Sequence, residues 1–233
     1  MINKLIKRFE YIPPKTLTKI LSGFLWEGTP EANTLALTFD DGPDPVITPA
    51  VLDALDKSGS SGTFFMLGGN VAKYPDIAAS VSERGHLIGN HSMTHRKMFF
   101  MKRNEVEREI DETQKVIFDS TGQSPKLFRP PYGMFDCTCA HVVKQKGLSM
   151  VLWTVLSGDY SDYLPNTILK TVKPFIRPGS IIVFHDTPRG SSTALPELIR
   201  EIVTIARSRN VRLGNINELS ISSVINTEGS HCD

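Results

Sequence analysis

The chain has 233 residues, 26 Lys and Arg against 25 Asp and Glu, a net charge of +1, and 40% hydrophobic and 22% charged residues. That is the make-up of one soluble globular domain with a sizeable core, and the charge balance gives no electrostatic attraction to nucleic acid or an acidic polymer. The three cysteines, Cys137, Cys139 and Cys232, form neither a disulfide framework nor a zinc-type spacing.

Residues 1–10 place Lys4, Lys7 and Arg8 among Ile2, Leu5, Ile6 and Phe9 at helical spacing. This predicts an amphipathic helix, not an export signal, so the expected location is cytoplasmic or peripheral to a membrane, with no integral membrane segment. Pro13-Pro14 breaks it, and a second helix is expected over 16–25. A buried strand follows over 35–39 and delivers Asp40 and Asp41 into a Gly42-Pro43 turn. Thr48 is expected to cap a helix over 48–57, with Pro49 in its first turn. Residues 63–66 make a second strand, a helix opens at Pro75 and stops before Gly85, and 86–88 make a third strand.

Met98-Phe99-Phe100-Met101 reads as core, or as a loop packed against the sheet. Asn104 and Glu107 have the form of a capping box; Val106, Ile110, Thr113 and Ile117 give the next helix a buried face, and Gly122 ends it. Residues 127–128 are a fourth strand leading to Arg129. Then come a helix over 136–146, a strand over 149–155, a helix over 166–176, the most apolar strand over 180–184, a helix over 195–207 and a short strand over 211–213. The ranges 1–30, 31–220 and 221–233 thus read as a helical extension, a barrel domain and a polar tail.

Short buried strands alternating with helices argue for a parallel sheet wrapped by helices, closed or nearly closed into a barrel. Functional sites of such barrels lie at the C-terminal strand ends. Asp40-Asp41, His91/His95, Arg129, Asp159 and His185 each follow a predicted strand, and five polar strand ends imply a shared pocket.

His91 and His95 have the spacing that brings two imidazoles to one side of a helical turn. With one aspartate they make a three-ligand metal site that keeps a position for water, which is catalytic in type. One of Asp40 and Asp41 then binds the ion while the other accepts a proton from the attacking water, and His185 protonates the leaving group. Arg129 tunes the base, and Asp159 orients and charges His185. Trp153 either walls the pocket or fills core, and His86, His141 and His231 are read as structural or surface residues.

In their order, Thr38-Phe-Asp-Asp-Gly-Pro43, His91-Ser-Met-Thr-His95, Arg129-Pro-Pro-Tyr132 and Ile181-Ile-Val-Phe-His185-Asp186 resemble motifs of the polysaccharide deacetylase family, also called carbohydrate esterase family 4 or the NodB homology domain. The resemblance implies a single-domain α/β fold, a distorted (β/α)7 barrel, and metal-dependent removal of acetyl groups from N-acetylated glycans, using zinc or another divalent ion such as cobalt. It implies Asp40 as base, Asp41, His91 and His95 as metal ligands, His185 as acid, and the Tyr132 backbone N–H as an oxyanion donor. The fourth motif departs from the family pattern: in Leu156-Ser-Gly-Asp159-Tyr160, Leu156 replaces an acid and Tyr160 the usual tryptophan. Pocket shape and substrate preference, with Tyr160 and Trp153 as candidate contacts, depend on that departure. The alternatives are an amidohydrolase of small cyclic imides or ureides, and a catalytically silent glycan-binding domain.

Overall fold

The computed structural model describes residues 12–219. The helix expected over 1–10, the tail beyond Ser223, Cys232 and His231 lie outside them. The chain runs α1 (Lys15–Ile20), β1 (Thr34–Asp40), α2 (Ile47–Ser58), β2 (Thr63–Met66), α3 (Gly68–Lys73), α4 (Pro75–Glu83), β3 (Leu87–Asn90) and α5 (Arg103–Thr121). It continues through β4 (Leu127–Phe128), α6 (Cys137–Gln145), β5 (Ser149–Met150), β6 (Val155–Leu156), α7 (Pro165–Val172), β7 (Ile181–His185), α8 (Leu195–Ser208) and β8 (Arg212–Gly214). No helix among the described residues is long and apolar enough to cross a membrane.

All pairings between these strands are parallel, in the order β5-β4-β3-β2-β1-β7-β6, with β8 beside the start of β1. The two edge strands, β5 and β6, are joined by residues 151–154 alone, which span at most about 18 Å. The sheet must therefore curl until its edges approach, giving a distorted, incompletely closed (β/α) barrel. Leu25 enters that gap: its N–H donates to Met150 O at 3.0 Å and its carbonyl accepts from Leu152 N at 2.8 Å.

Strand alternation sorts the side chains. Leu35, Leu37 and Phe39 of β1, Phe64 and Met66 of β2, and Ile182 and Phe184 of β7 join the outer core beneath the helices. Ala36, Phe65 and Ile181 belong to a separate inner cluster. Because side chains alternate, Thr38 and Asp40 share the inner face with Ala36, and His185 shares it with Ile181. The helices seal the outside with apolar stripes; on α8, Leu195, Leu198, Ile199, Ile202, Val203 and Ala206 are buried at helical spacing.

Several boundaries differ from the sequence expectation. Helix α1 stops at Ile20, the Trp26 indole N–H caps the Leu21 carbonyl at 2.9 Å, and Leu25 pairs with the sheet edge. Thr48 lies inside α2; Asp44 Oδ1 accepts from the amides of Val46 and Ile47, while Thr48 Oγ1 accepts from Asp44 N. The α5 cap is also earlier than expected, with Glu105 accepting from Lys102 N at 3.2 Å. The single strand expected over 149–155 is two, because the carbonyls between them turn toward Arg129: its guanidinium donates to Val151 O at 3.4 Å and Leu152 O at 3.0 Å.

Candidate active site

A cleft of about 520 Å³ opens at the C-terminal ends of the strands. Asp40, Asp41, His91, His95, Tyr132, Trp153, Tyr160 and His185 all line it, together with Leu156 and Arg189. Arg129 and Asp159 stand behind the lining, each fully buried.

At the end of β1, Asp40 still faces the barrel interior while Asp41 turns away at φ 75. Asp41 Oδ1 lies 3.5 Å from His91 Nε2 and 3.0 Å from His95 Nε2. This oxygen is buried and has no hydrogen-bond partner, a state that normally costs about 1–3 kcal/mol. His91 Nδ1 donates to Arg129 O at 2.7 Å; the carbonyl can only accept, so Nε2 carries the lone pair. One ligand atom from each of Asp41, His91 and His95 lies within 4.8 Å of the others. A buried carboxylate oxygen without a donor, beside an imidazole lone pair and a second ring nitrogen, suits a divalent cation. Burial pushes the Asp41 pKa up; in the other protonation state, with the imidazoles protonated toward the carboxylate as they would be without a cation, the two histidines more than offset it and hold the carboxyl far below the usual range.

The imidazoles converge through a loop, not the helical turn expected from their spacing. Ser92 and His95 have φ 70 and 58, and the Glu109 carboxylate of α5 accepts from the amides of Met93 and Thr94, each at 2.9 Å, and from Thr94 Oγ1 at 2.5 Å. Asp41, Ser92, His95 and Tyr132 all adopt left-handed backbone, so strain of about 1–3 kcal/mol per residue gathers around the cleft.

Two ion pairs, one fully buried and one half-buried at His185, flank the triad. Arg129 Nη1 donates to Asp40 Oδ1 at 2.7 Å and to Thr38 Oγ1 at 2.8 Å, and the guanidinium stacks 4.0 Å over the Phe65 ring. Burial lowers the Arg129 pKa against the opposing pull of Asp40. On the other side, His185 Nδ1 is 2.8 Å from Asp159 Oδ1, and His185 N donates to Asp159 Oδ2 at 2.7 Å. Burial works against the imidazolium, yet Asp159 prevails and the His185 pKa is raised to about 9.

Sequence reasoning passed over three supports. Ser157 donates to Asp159 Oδ1 at 2.7 Å. Asp186, named only as part of a motif, accepts from Gly42 N at 3.2 Å and Thr48 Oγ1 at 2.6 Å, tying the Asp40-Asp41 turn to β7; burial raises its pKa to about 7. Pro13, Pro14, Leu17 and Trp26 form one wall of the cleft, a contact across the fold that no local pattern announces. Trp153 belongs to the lining, Tyr160 meets the His185 ring edge-on at 5.4 Å, and Tyr132 lies 4.5 Å from the His95 ring. His86 is structural, its Nδ1 accepting from Gly62 N, and His141 is exposed on α6. Cys139 is buried, its thiol pushed up to about 12 chiefly by burial.

The sequence profile described as polysaccharide deacetylase matches residues 27–151. A peptidoglycan-N-acetylglucosamine deacetylase of Bacillus cereus is 35% identical over 174 residues, covering 73% of this chain and 63% of that relative. The chain therefore spans less than two-thirds of that relative's length. The solved structure of the Bc1960 peptidoglycan N-acetylglucosamine deacetylase superposes with a TM-score of 0.81 at 29% identity, over 88% of this chain and 97% of that one. That of a carbohydrate esterase family 4 pseudoenzyme from Bacillus anthracis superposes with a TM-score of 0.77 at 27% identity, over 84% and 68%.

Proposed function

Because the chain belongs to the polysaccharide deacetylase family, we propose that it hydrolyses the acetamide of N-acetylated sugars, releasing acetate and a free amine. The observation that carries this reading is the buried, donorless Asp41 Oδ1 facing His91 and His95. These three residues would hold the ion, zinc or another divalent cation such as cobalt. When bound, it supplies Lewis acidity toward the acetyl carbonyl and lowers the pKa of water.

The remaining chemistry falls to side chains. Asp40 accepts the proton of the attacking water, held in place through Oδ1 by Arg129. The backbone N–H of Tyr132 donates to the acyl oxygen as it gains negative charge. His185, kept protonated to about pH 9 by Asp159, gives its proton to the departing nitrogen. Trp153, Tyr160 and Leu156 border the sugar, Leu156 bringing no charge where an acid is usual.

Family membership alone does not establish turnover, since one structural neighbour is a pseudoenzyme. The two supported pairs, Arg129–Asp40 and Asp159–His185, favour turnover over silent glycan binding, because they serve proton transfer and add nothing to metal affinity. Incubation with N-acetylglucosamine oligomers and peptidoglycan fragments is expected to release acetate and amine in equal amounts, with the Asp40→Asn variant turning over very slowly. Glycan binding without acetate under any divalent metal, or opening of a cyclic imide in its place, would overturn the proposal.

A further inference from the structure

Residues 96–103 read Arg-Lys-Met-Phe-Phe-Met-Lys-Arg, an apolar tetrapeptide between two cationic pairs. Of the two sequence expectations, core or a packed loop, the segment is a loop, and only its methionines pack inward. Met98 and Met101 are 0% and 8% exposed, whereas Phe99 and Phe100 are 42% and 86% exposed. The phenylalanine rings touch each other, with centroids 4.2 Å apart and planes at 59°.

This exposure is built in. Phe100 adopts φ 61, unfavourable for a bulky residue, and its amide is pinned by Asp136 Oδ2 at 2.9 Å. A backbone bridge from Met98 to Phe135 fixes the base of the loop. The loop begins directly after His95, and its Lys97 lies over the ring of Tyr132, a cleft-lining residue that is 54% exposed, so the loop stands beside the cleft. Of the four cations, Arg96 pairs with Glu105 at 3.3 Å and Arg103 with Glu107 at 2.8 Å. Lys97 lies over the Tyr132 ring at 5.7 Å, and neither it nor Lys102 has an ion-pair partner among the described residues.

We propose that the Phe99-Phe100 tip inserts into the headgroup region of an anionic phospholipid bilayer, seating the catalytic face against a membrane. Exposed apolar tips flanked by basic residues gain both burial of the rings and attraction to acidic headgroups. The geometry disfavours a glycan platform: the rings are steeply inclined to one another and offer no shared flat face, and phenylalanine has no polar edge for sugar hydroxyls. The inference does not depend on the deacetylase reading.

The test is co-sedimentation of the full chain with vesicles of phosphatidylcholine alone or mixed with phosphatidylglycerol. Binding is expected only to the mixed vesicles and is expected to weaken with added salt. The Phe99→Ser/Phe100→Ser double variant is expected to bind about tenfold or more weakly, and Lys102→Glu to lose part of the binding. Both should melt like the wild type and keep its metal affinity. Indifference of the wild type to anionic vesicles, or undiminished binding by the double variant, would overturn the proposal. So would a double variant that loses affinity for soluble N-acetylglucosamine oligomers in place of vesicles, which would make the tip a glycan platform.

Discussion

Asp40 and His185 are register partners on adjacent parallel strands, each at the last inward-facing position of its strand. The spacing between strands, about 4.8 Å, therefore sets how far apart the two backbones stand, and each side chain is then steered by its own buried partner. In the proposed reaction, Asp40 and His185 would act as base and acid from neighbouring strand ends, beside the three residues that would hold the ion, and so serve opposite sides of one scissile bond.

Asp40→Asn is expected to lower kcat by about 10²- to 10⁴-fold, the usual share of a positioned general base. It also leaves the buried Arg129 guanidinium without an anion, removing about 1–3 kcal/mol from the free energy of unfolding. Acetate release, metal content and urea denaturation check the three parts; metal content should not change.

Asp159→Asn is expected to move the alkaline limb of the kcat profile to lower pH, since Asp159 holds the His185 pKa at about 9. The sign for stability follows. The pKa is raised in the folded state above its ordinary 6.5, so the pair's stabilisation is complete below about pH 6.5 and is lost as pH rises through about 9. Denaturation at pH 6 and pH 10 should show that loss in the wild type and not in the variant.

His91→Ala or His95→Ala is expected to abolish the rise in melting temperature that added zinc gives the wild type. Metal at a hundred times its Kd stabilises a folded protein by about 2.7 kcal/mol, so thermal shift resolves the difference readily. An unchanged rise in either variant would remove that residue from the ligand set.

The parts of this site legible in the sequence were those carried by residue type at a strand end: Asp40 and Asp41, the imidazoles of His91 and His95, Arg129, Asp159 and His185. Alternation along a strand then decides orientation, which is why Asp40 and Asp41 diverge as neighbours should. The loop route of His91 to His95 was not legible, because it depends on Glu109, a residue of the following helix that local spacing cannot bring near. Nor was the break after Met150, where carbonyls leave the strand ladder for the buried Arg129. The wall supplied by Pro13, Pro14, Leu17 and Trp26 is likewise tertiary, and Phe99-Phe100 resembles core in every respect except its surroundings.

Gly133→Ala is expected to raise KM more than it lowers kcat. A Cβ there would come within 2.4 Å of the Trp153 ring, and the residue has φ 64, so Trp153, which lines the cleft, must shift. The left-handed backbone adds about 1 kcal/mol of strain, readable as a lower melting temperature alongside the kinetics.

Anomalous diffraction from crystals soaked in zinc addresses the ligand set itself. The expected map has one strong peak within about 2.0–2.2 Å of Asp41 Oδ1, His91 Nε2 and His95 Nε2 together, with Asp40 not bound to it. A peak that engages Asp40 in place of Asp41, or no peak at this cleft while zinc occupies other residues, would contradict the assignment.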